Sequence, residues 1–374
     1  MRVLHLTSHM NVGGITTTVL NLSEALAARD HQVSVASGDG ELANRLTSQG
    51  IAHWSYPSLD TSAEFSPTVW RAGSRLAARL RTEPVDVMHA HTRVAQVVAE
   101  RIMRRTRIPY VTTWHGFYRA RLCRRLHPCT GVRTIAISEP VADHLRDCFH
   151  VPAERIRVVP HGVDVASFSE AIDDTVMTEL RERLKIPRGH AIVGTAARLV
   201  PDKGVDHLLD AFAQVVARRP RTHLVIVGEG RNRARLTKIA QEPGLAGSVA
   251  FAGSLPDLRV ALGLMDIFVF LPAVREGFGL SLLEAMASAK PIVAIGRGGG
   301  SSWLLEQSQA AVVVQPGDPE DLAEEILKLL DDSEAARQLG MRAQMIARTR
   351  YSLDRMVDQV EAVYAEAIEM LRVA

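Results

Sequence analysis

Short apolar runs rich in β-branched residues alternate along the chain with stretches whose apolar positions recur every three or four residues. That is the pattern of parallel strands covered on both faces by helices. In the first half the strand-like runs are VLHLT (3–7), QVSVAS (32–37), VDVMHAH (85–91), YVTTWH (110–115) and TIAIS (134–138). Helical periodicity fills the gaps: one helix is predicted to begin near Thr16, with Val19, Leu22 and Leu26 on one face, and another carries Leu76 and Leu80.

The pattern then restarts. After RVVPHGVD (157–164) comes a polar, acidic helical stretch punctuated by Pro187 and Gly189, followed by AIVGTAA (191–197), HLVIVGEG (223–230), VAFAG (249–253), DIFVFL (266–271), PIVAIG (291–296) and AAVVV (310–314). The expectation is an α/β protein of two doubly wound domains, 1–166 and 167–352, with the boundary inside 165–188. Residues 353–374 carry apolar positions at 353, 356, 357, 360, 363, 364, 367, 368 and 371, a stripe wide enough to dock on protein. It either caps its own domain or reaches back to the first.

The length, 374 residues with 47% hydrophobic and 23% charged, suffices for two large cores. A net charge of +2 supplies no overall drive toward nucleic acid, and no nucleic-acid recognition module is visible. The charge is unevenly spread, however: residues 1–170 hold 20 basic and 15 acidic side chains, and the remainder 24 and 27. Nine arginines and no acid between 101 and 138 account for this, among them Arg119, Arg121, Arg124 and Arg125. With Phe117, Tyr118 and Leu122 interleaved, they suggest a surface for an anionic acceptor or an anionic membrane; the alternative is a solvated helix face. Three cysteines without paired spacing read as reduced thiols. The apolar start of the chain is too short and polar for a signal peptide, and the most apolar segment, 260–274, contains Asp266. The expected location is the cytoplasm, peripheral at the inner face of the membrane.

Open α/β sheets bind ligands beyond the carboxyl ends of their strands. Several candidates lie there. Glu276-Gly277-Phe278-Gly279-Leu280 leads into a helix predicted to start near Ser281, with Glu284 in its first turns. The glycines admit a ligand to the backbone, and the helix start offers unpaired N–H groups to an anion. Glu276 and Glu284 can accept hydrogen bonds from sugar or ribose hydroxyls, although Ser281-x-x-Glu284 is also a capping box. Arg198 and Lys203, before Gly204, suit a diphosphate; otherwise they are a surface loop paired with Asp202 or Asp206. Gly13-Gly14 after the first strand reads as a ligand loop or a tight packing turn. Gly228-Glu229-Gly230 either underlies a base or makes a turn. His115, at a strand end, reaches a ligand as donor or acid/base, or is structural; His161 reads mainly as a turn.

Taken in order, Gly13-Gly14, Trp114-His115-Gly116, Ala136-Ile137-Ser138-Glu139, Pro160-His161-Gly162-Val163-Asp164, Arg198 with Lys203-Gly204, Val227-Gly228-Glu229-Gly230, Phe251-Ala252-Gly253 and Glu276 with Glu284 eight positions on resemble one family. It is the family 4, "group 1", retaining nucleotide-sugar glycosyltransferases of the GT-B fold. The resemblance implies two Rossmann-like domains facing across a cleft, an acceptor domain first and a donor domain second, with the last helix returning to the first domain. It implies a nucleoside-diphosphate-sugar donor held mainly by the second domain. Arg198 and Lys203 would neutralise the diphosphate, Gly277 to Leu280 would add backbone donors, and Glu276 would contact the sugar and Glu284 the ribose. Gly13, Gly14, Gly228, Gly253 and Leu255 would line the donor site, and His115 would complete the catalytic set of His115, Arg198, Lys203 and Glu276. No metal or other cofactor is expected, and no D-x-D triplet occurs.

The expected reaction moves a hexosyl or related unit to the hydroxyl of a lipid-linked or cell-envelope glycan, metal-independently and with retention. The alternatives are a nucleotide-sugar epimerase or hydrolase on the same scaffold, or a catalytically idle nucleotide-sugar binder. Two departures stand out. His161 occupies a position where the family often has Asn, and Trp303 one where it usually has Glu.

Overall fold

The computed structural model describes residues 1–272 and 274–373. The chain divides into two compact units, Met1–Gly162 with Leu353–Ala374, and Val163–Ser352. The division thus falls between Gly162 and Val163, ahead of the expected residue 166. The short helix Val165–Ser169 is held in the second unit by Arg259, which donates to the Ser167 carbonyl at 3.0 Å and hydroxyl at 2.7 Å.

The first unit is built on seven parallel strands: β1 (Arg2–Leu6), β2 (Gln32–Ser37), β3 (Ala52–Ser55), β4 (Val87–Ala90), β5 (Tyr110–Trp114), β6 (Arg133–Ala136) and β7 (Ile156–Val158). Their order in the sheet is β3-β2-β1-β4-β5-β6-β7. Sequence periodicity locates five of these; β3 and β7 escape it. Both lie at sheet edges, and only Trp54 of β3 and Ile156 of β7 are buried, so neither shows the apolar run of a strand covered on both faces. The first helix is Gly14–Ala27, two residues ahead of the predicted Thr16, and buries Val19, Leu22 and Leu26 as its periodicity requires.

The terminal helix, Leu353–Val373, belongs to this unit. Met356, Val357, Val360, Val363, Tyr364 and Ala367 enter one core with Val3, Val19, Leu22 and Val111. Arg29 bonds Asp354, Asp358 and Glu361 on one side, and Arg133 and Arg157 share Glu366 on the other.

The second unit carries six parallel strands: β8 (Ala191–Ala196), β9 (Thr222–Val227), β10 (Val249–Gly253), β11 (Ile267–Phe270), β12 (Ile292–Ile295) and β13 (Val312–Val314). The order is β10-β9-β8-β11-β12-β13. All six lie inside or beside the runs read from the sequence. Val193, Leu224, Ile226, Ile267, Val269 and Val293 pack with Leu208, Leu209 and Phe212 of helix Val205–Arg218. In each sheet the strand order reverses once, between β1 and β4 and between β8 and β11, and a ligand site is expected beyond the carboxyl ends of those pairs.

Candidate functional site

At the β8/β11 switch point of the second unit, the loop after β8 supplies Arg198 and Lys203 and the loop after β11 supplies Glu276. Lys203 Nζ and Glu276 Oε1 form an ion pair, each side chain 20% exposed. Gly204 makes the approach feasible: its φ is +63°, and a Cβ there would sit 2.6 Å from the Leu271 carbonyl oxygen, so the two loops close on each other only over a glycine. Arg198 is exposed and forms no ion pair among the described residues, while Asp206 pairs with Arg235. The paired surface loop allowed by the sequence is therefore not what forms.

Glu276 is tied further along the sheet edge. Its carbonyl accepts from Gly300 N at 2.8 Å, joining its loop to the start of helix Gly300–Ser308 after β12. Around this junction Glu276 Oε2, Ser301 Oγ, Ser302 Oγ and Arg297 Nε are buried without a hydrogen-bond partner. Buried polar atoms are rarely left so, and these four concentrate unused hydrogen-bonding capacity at one junction. Trp303 follows, half-buried.

Helix Leu280–Ala287 begins at Gly279, whose φ is +99°; a Cβ there would lie 2.8 Å from Phe270 Cζ, so the helix start is pinned against the end of β11. Gly277 and Phe278 are buried, Phe278 edge-on to Tyr351 at 5.9 Å between ring centres, and Leu280 is the first helical residue. Ser281 is therefore inside the helix, not at its cap, and no side chain caps the start. The capping-box role for Glu284 is thereby overturned. Burial first, and the charge of Asp257 second, push the Glu284 carboxyl up to about 7. Gly228 N donates to the Gly253 carbonyl at 2.8 Å, tying the ends of β9 and β10, and Leu255 is half-buried just beyond.

In the first unit, Gly13 has extended backbone (φ 173°), and a Cβ there would find only ordinary contact, 3.7 Å from Thr16 Oγ1. Packing does not demand glycine at this position, which argues against the tight-turn alternative. Gly14 is the first residue of its helix.

His115 follows β5 and is part of an assembly that sequence reading missed. His5 and His89 are register partners on β1 and β4, and His91 follows β4 on the same face. His5 Nδ1 lies 3.0 Å from His91 Nε2, His91 Nδ1 3.4 Å from His115 Nε2, and the His115 ring stacks on His161 at 5.4 Å and 15°. His89 bonds the Tyr364 hydroxyl and Thr113 Oγ1, both at 2.7 Å. His161, read from sequence mainly as a turn, is thus a buried member of the series.

Burial lowers every ring: His5 to about 3, His161 to about 4, and His89, His91 and His115 well below the usual imidazole value, so the assembly is neutral at pH 7. If His91 Nδ1 donates to His115 Nε2, the His115 proton sits on Nδ1, the atom that is buried without a partner. His5, His89 and His91 each offer a ring nitrogen within 4.8 Å of the others, the spacing of a metal-binding trio. Both nitrogens of His89 and His91 are already engaged, so the trio as built is a hydrogen-bonded network. The readable signal was His-x-His at the end of a strand otherwise reserved for apolar residues.

Of the four surface arginines, Arg124 reaches Glu64 at 3.7 Å and Arg125 lies 3.2 Å from His150 Nε2, while Arg119 and Arg121 are exposed without ion pairs among the described residues. No helix among the described residues is long and apolar enough to cross a membrane.

Two family models match the chain: Glycosyltransferase Family 4 over residues 12–167 and Glycosyl transferases group 1 over residues 176–345. N-acetyl-alpha-D-glucosaminyl L-malate synthase of Bacillus anthracis is 23% identical over 97% of this chain and 96% of its own. A crystal structure of a glycosyltransferase from Rickettsia africae superposes with a TM-score of 0.86 at 19% identity, covering 98% of each chain. HepE of Anabaena, crystallised with UDP-glucose, gives 0.84 at 23% identity, covering 98% of this chain and 100% of that one. Both solved chains share this two-domain fold, the GT-B fold. With one model spanning most of each sheet and the reversal point of the second sheet carrying a lysine, a carboxylate and glycine-pinned loops, the chain belongs to the group 1, family 4 glycosyltransferases and is itself a glycosyltransferase.

Proposed function

We propose that the chain transfers a glycosyl unit from a nucleoside-diphosphate sugar to an acceptor hydroxyl with retention of anomeric configuration. The observation that carries this reading is the Lys203–Glu276 pair at the β8/β11 switch point, ringed by the unpaired Glu276 Oε2 and the hydroxyls of Ser301 and Ser302. The diphosphate oxygens take Lys203 from Glu276 and add the exposed guanidinium of Arg198. Glu276, so released, accepts from sugar hydroxyls, and the first-turn N–H groups of helix Leu280–Ala287 face the phosphates. Glu284 takes the ribose. HepE, crystallised with UDP-glucose, supports a donor of this class.

The barrier is departure of the diphosphate from an oxocarbenium-like sugar, and two cations with a helix start stabilise the leaving oxygens, so the site works without a metal or other cofactor. The leaving phosphate takes the acceptor proton on the same face, and neutral His115 orients the sugar through Nδ1–H. Residues 1–162 bind the acceptor and residues 163–352 the donor. Arg119, Arg121, Arg124 and Arg125 present a cationic surface suited to a lipid-linked or cell-envelope glycan bearing phosphate.

Thermal-shift measurements with UDP, GDP, ADP and their sugars test the donor half, since a ligand at a hundred times its Kd stabilises by about 2.7 kcal/mol. One nucleotide class is expected to raise Tm, and Lys203→Ala to abolish the rise. If no nucleotide or nucleotide sugar shifts the wild-type Tm, the donor assignment is wrong. Product analysis with the stabilising donor then separates transfer from hydrolysis or epimerisation.

A further inference from the structure

Helix Pro67–Arg79 of the first unit contains Trp70, Arg71 and Arg75 and no acidic residue. Trp70, in the first turn of this helix, is 47% exposed, and Phe65, just before the Ser66 cap, is 48% exposed. Arg71 and Arg75 are a turn apart, exposed, and form no ion pair among the described residues, so two like charges stand together unneutralised. Arg101, on helix Arg93–Thr106, lays its guanidinium over the Trp70 ring at 4.8 Å, and its Nε is buried without a partner. Pro67, Trp70, Arg71, Ser74, Arg75 and Arg101 line an open pocket of 470 Å³.

The pocket is not isolated. Glu64 accepts from Arg93 at 2.9 Å and forms an ion pair with Arg124 at 3.7 Å, which fastens helix Leu122–Leu126 beside the chain that leads into Phe65 and Ser66. Leu122 and Leu126, one turn apart on that helix, are 72% and 66% exposed. Exposed Phe, Trp and two Leu therefore share a region with arginines, and the first unit contains no lysine at all. An apolar fringe around guanidinium groups is poorly placed against water alone. It suits the headgroup level of a bilayer, where aromatic and leucine side chains enter the acyl boundary and arginine forks bind phosphate in pairs of hydrogen bonds.

We propose that this pocket is a binding site for the phosphate headgroup of an anionic phospholipid in a bilayer, seating the first unit on the membrane through Trp70 and Phe65 with Leu122 and Leu126 beside them. The site shares no residue with the donor-binding loops and does not depend on the transfer reaction.

The test is co-sedimentation of the full chain with vesicles of phosphatidylcholine alone and of phosphatidylcholine mixed with phosphatidylglycerol, at low and high salt. Binding is expected only to the mixed vesicles, weakening as salt rises. Arg71→Gln and Arg75→Gln are each expected to lower partitioning about fivefold, the effect of one cation near an anionic surface. Trp70→Phe removes a blue shift of tryptophan emission that mixed vesicles induce in the wild type. The four arginines at 119–125 stay intact in all variants, so a loss reports on the pocket, and circular dichroism checks that each variant is folded. Equal binding to both vesicle types, wild-type binding by the double variant Arg71→Gln/Arg75→Gln, or saturation of the pocket by free glycerol phosphate without vesicle binding would each overturn the proposal.

Discussion

The two units share one architecture, a parallel sheet whose order reverses once, yet their carboxyl edges carry opposite chemistry. The first gathers five neutral histidines, four of them buried and His115 half-buried, and its cations are all arginines. The second holds all five lysines of the chain and sets one of them against a carboxylate among glycine-pinned loops. The topology supplies a place for a site, and the side chains at the strand ends decide what the place can do. The units should also respond to pH in opposite senses, because burial disfavours charge on a histidine and on a carboxyl alike.

The largest effect expected is acid loss of the first unit. His5 and His161 bind protons less readily folded than unfolded, so stability present above pH 6.5 is lost as pH falls toward 4, on the order of 2–3 kcal/mol per ring. Trp54, Trp70 and Trp114 report this unit and Trp303 the other. In a Trp303→Phe background the unfolding midpoint should drop steeply below pH 6.5, and His5→Phe should flatten the slope. A pH-independent midpoint would mean the rings are solvated.

Next is Lys203→Ala, which should lower kcat about a hundredfold or more, as loss of one charge-stabilising donor does. Near-wild-type turnover would take the lysine out of the reaction. Gly279→Ala forces a Cβ onto Phe270 at φ +99° and should cost the second unit about 1–3 kcal/mol in urea unfolding, leaving the first unit unchanged.

The smallest effect is Glu284→Gln. A carboxyl raised to about 7 makes the folded state bind the extra proton, so its stability falls as pH rises from 4.5 to 7. The glutamine variant should therefore be more stable at pH 8, by on the order of 1 kcal/mol, while binding the donor more weakly. A variant that is less stable and binds normally would return Glu284 to a packing role.

Much of this was legible in the chain because strands buried on both faces write continuous apolar runs: eleven strands could be placed from them. The two edge strands of the first sheet, β3 and β7, could not. In the second unit the site was also legible, since glycines, a lysine and carboxylates directly after strands have few reasons to be there. The histidine assembly was not, because it depends on His5 and His89 meeting across a strand pairing 84 residues apart in sequence, which no local pattern encodes. Nor could local pattern decide Glu284: Ser281-x-x-Glu284 fits a cap until Gly279 proves to start the helix. The four orphaned atoms beside Gly300 follow from a hydrogen bond between two loops and were equally out of reach.

Helix Leu353–Val373 fills the first unit's core, yet 190 residues of the second unit are synthesised before it. During translation the second unit can complete its core first, while the earlier-made strands wait with a greasy flank uncovered. The order of birth and the order of maturation are thus inverted. A ribosome stalled before codon 353 should leave that half open to protease and the later half resistant.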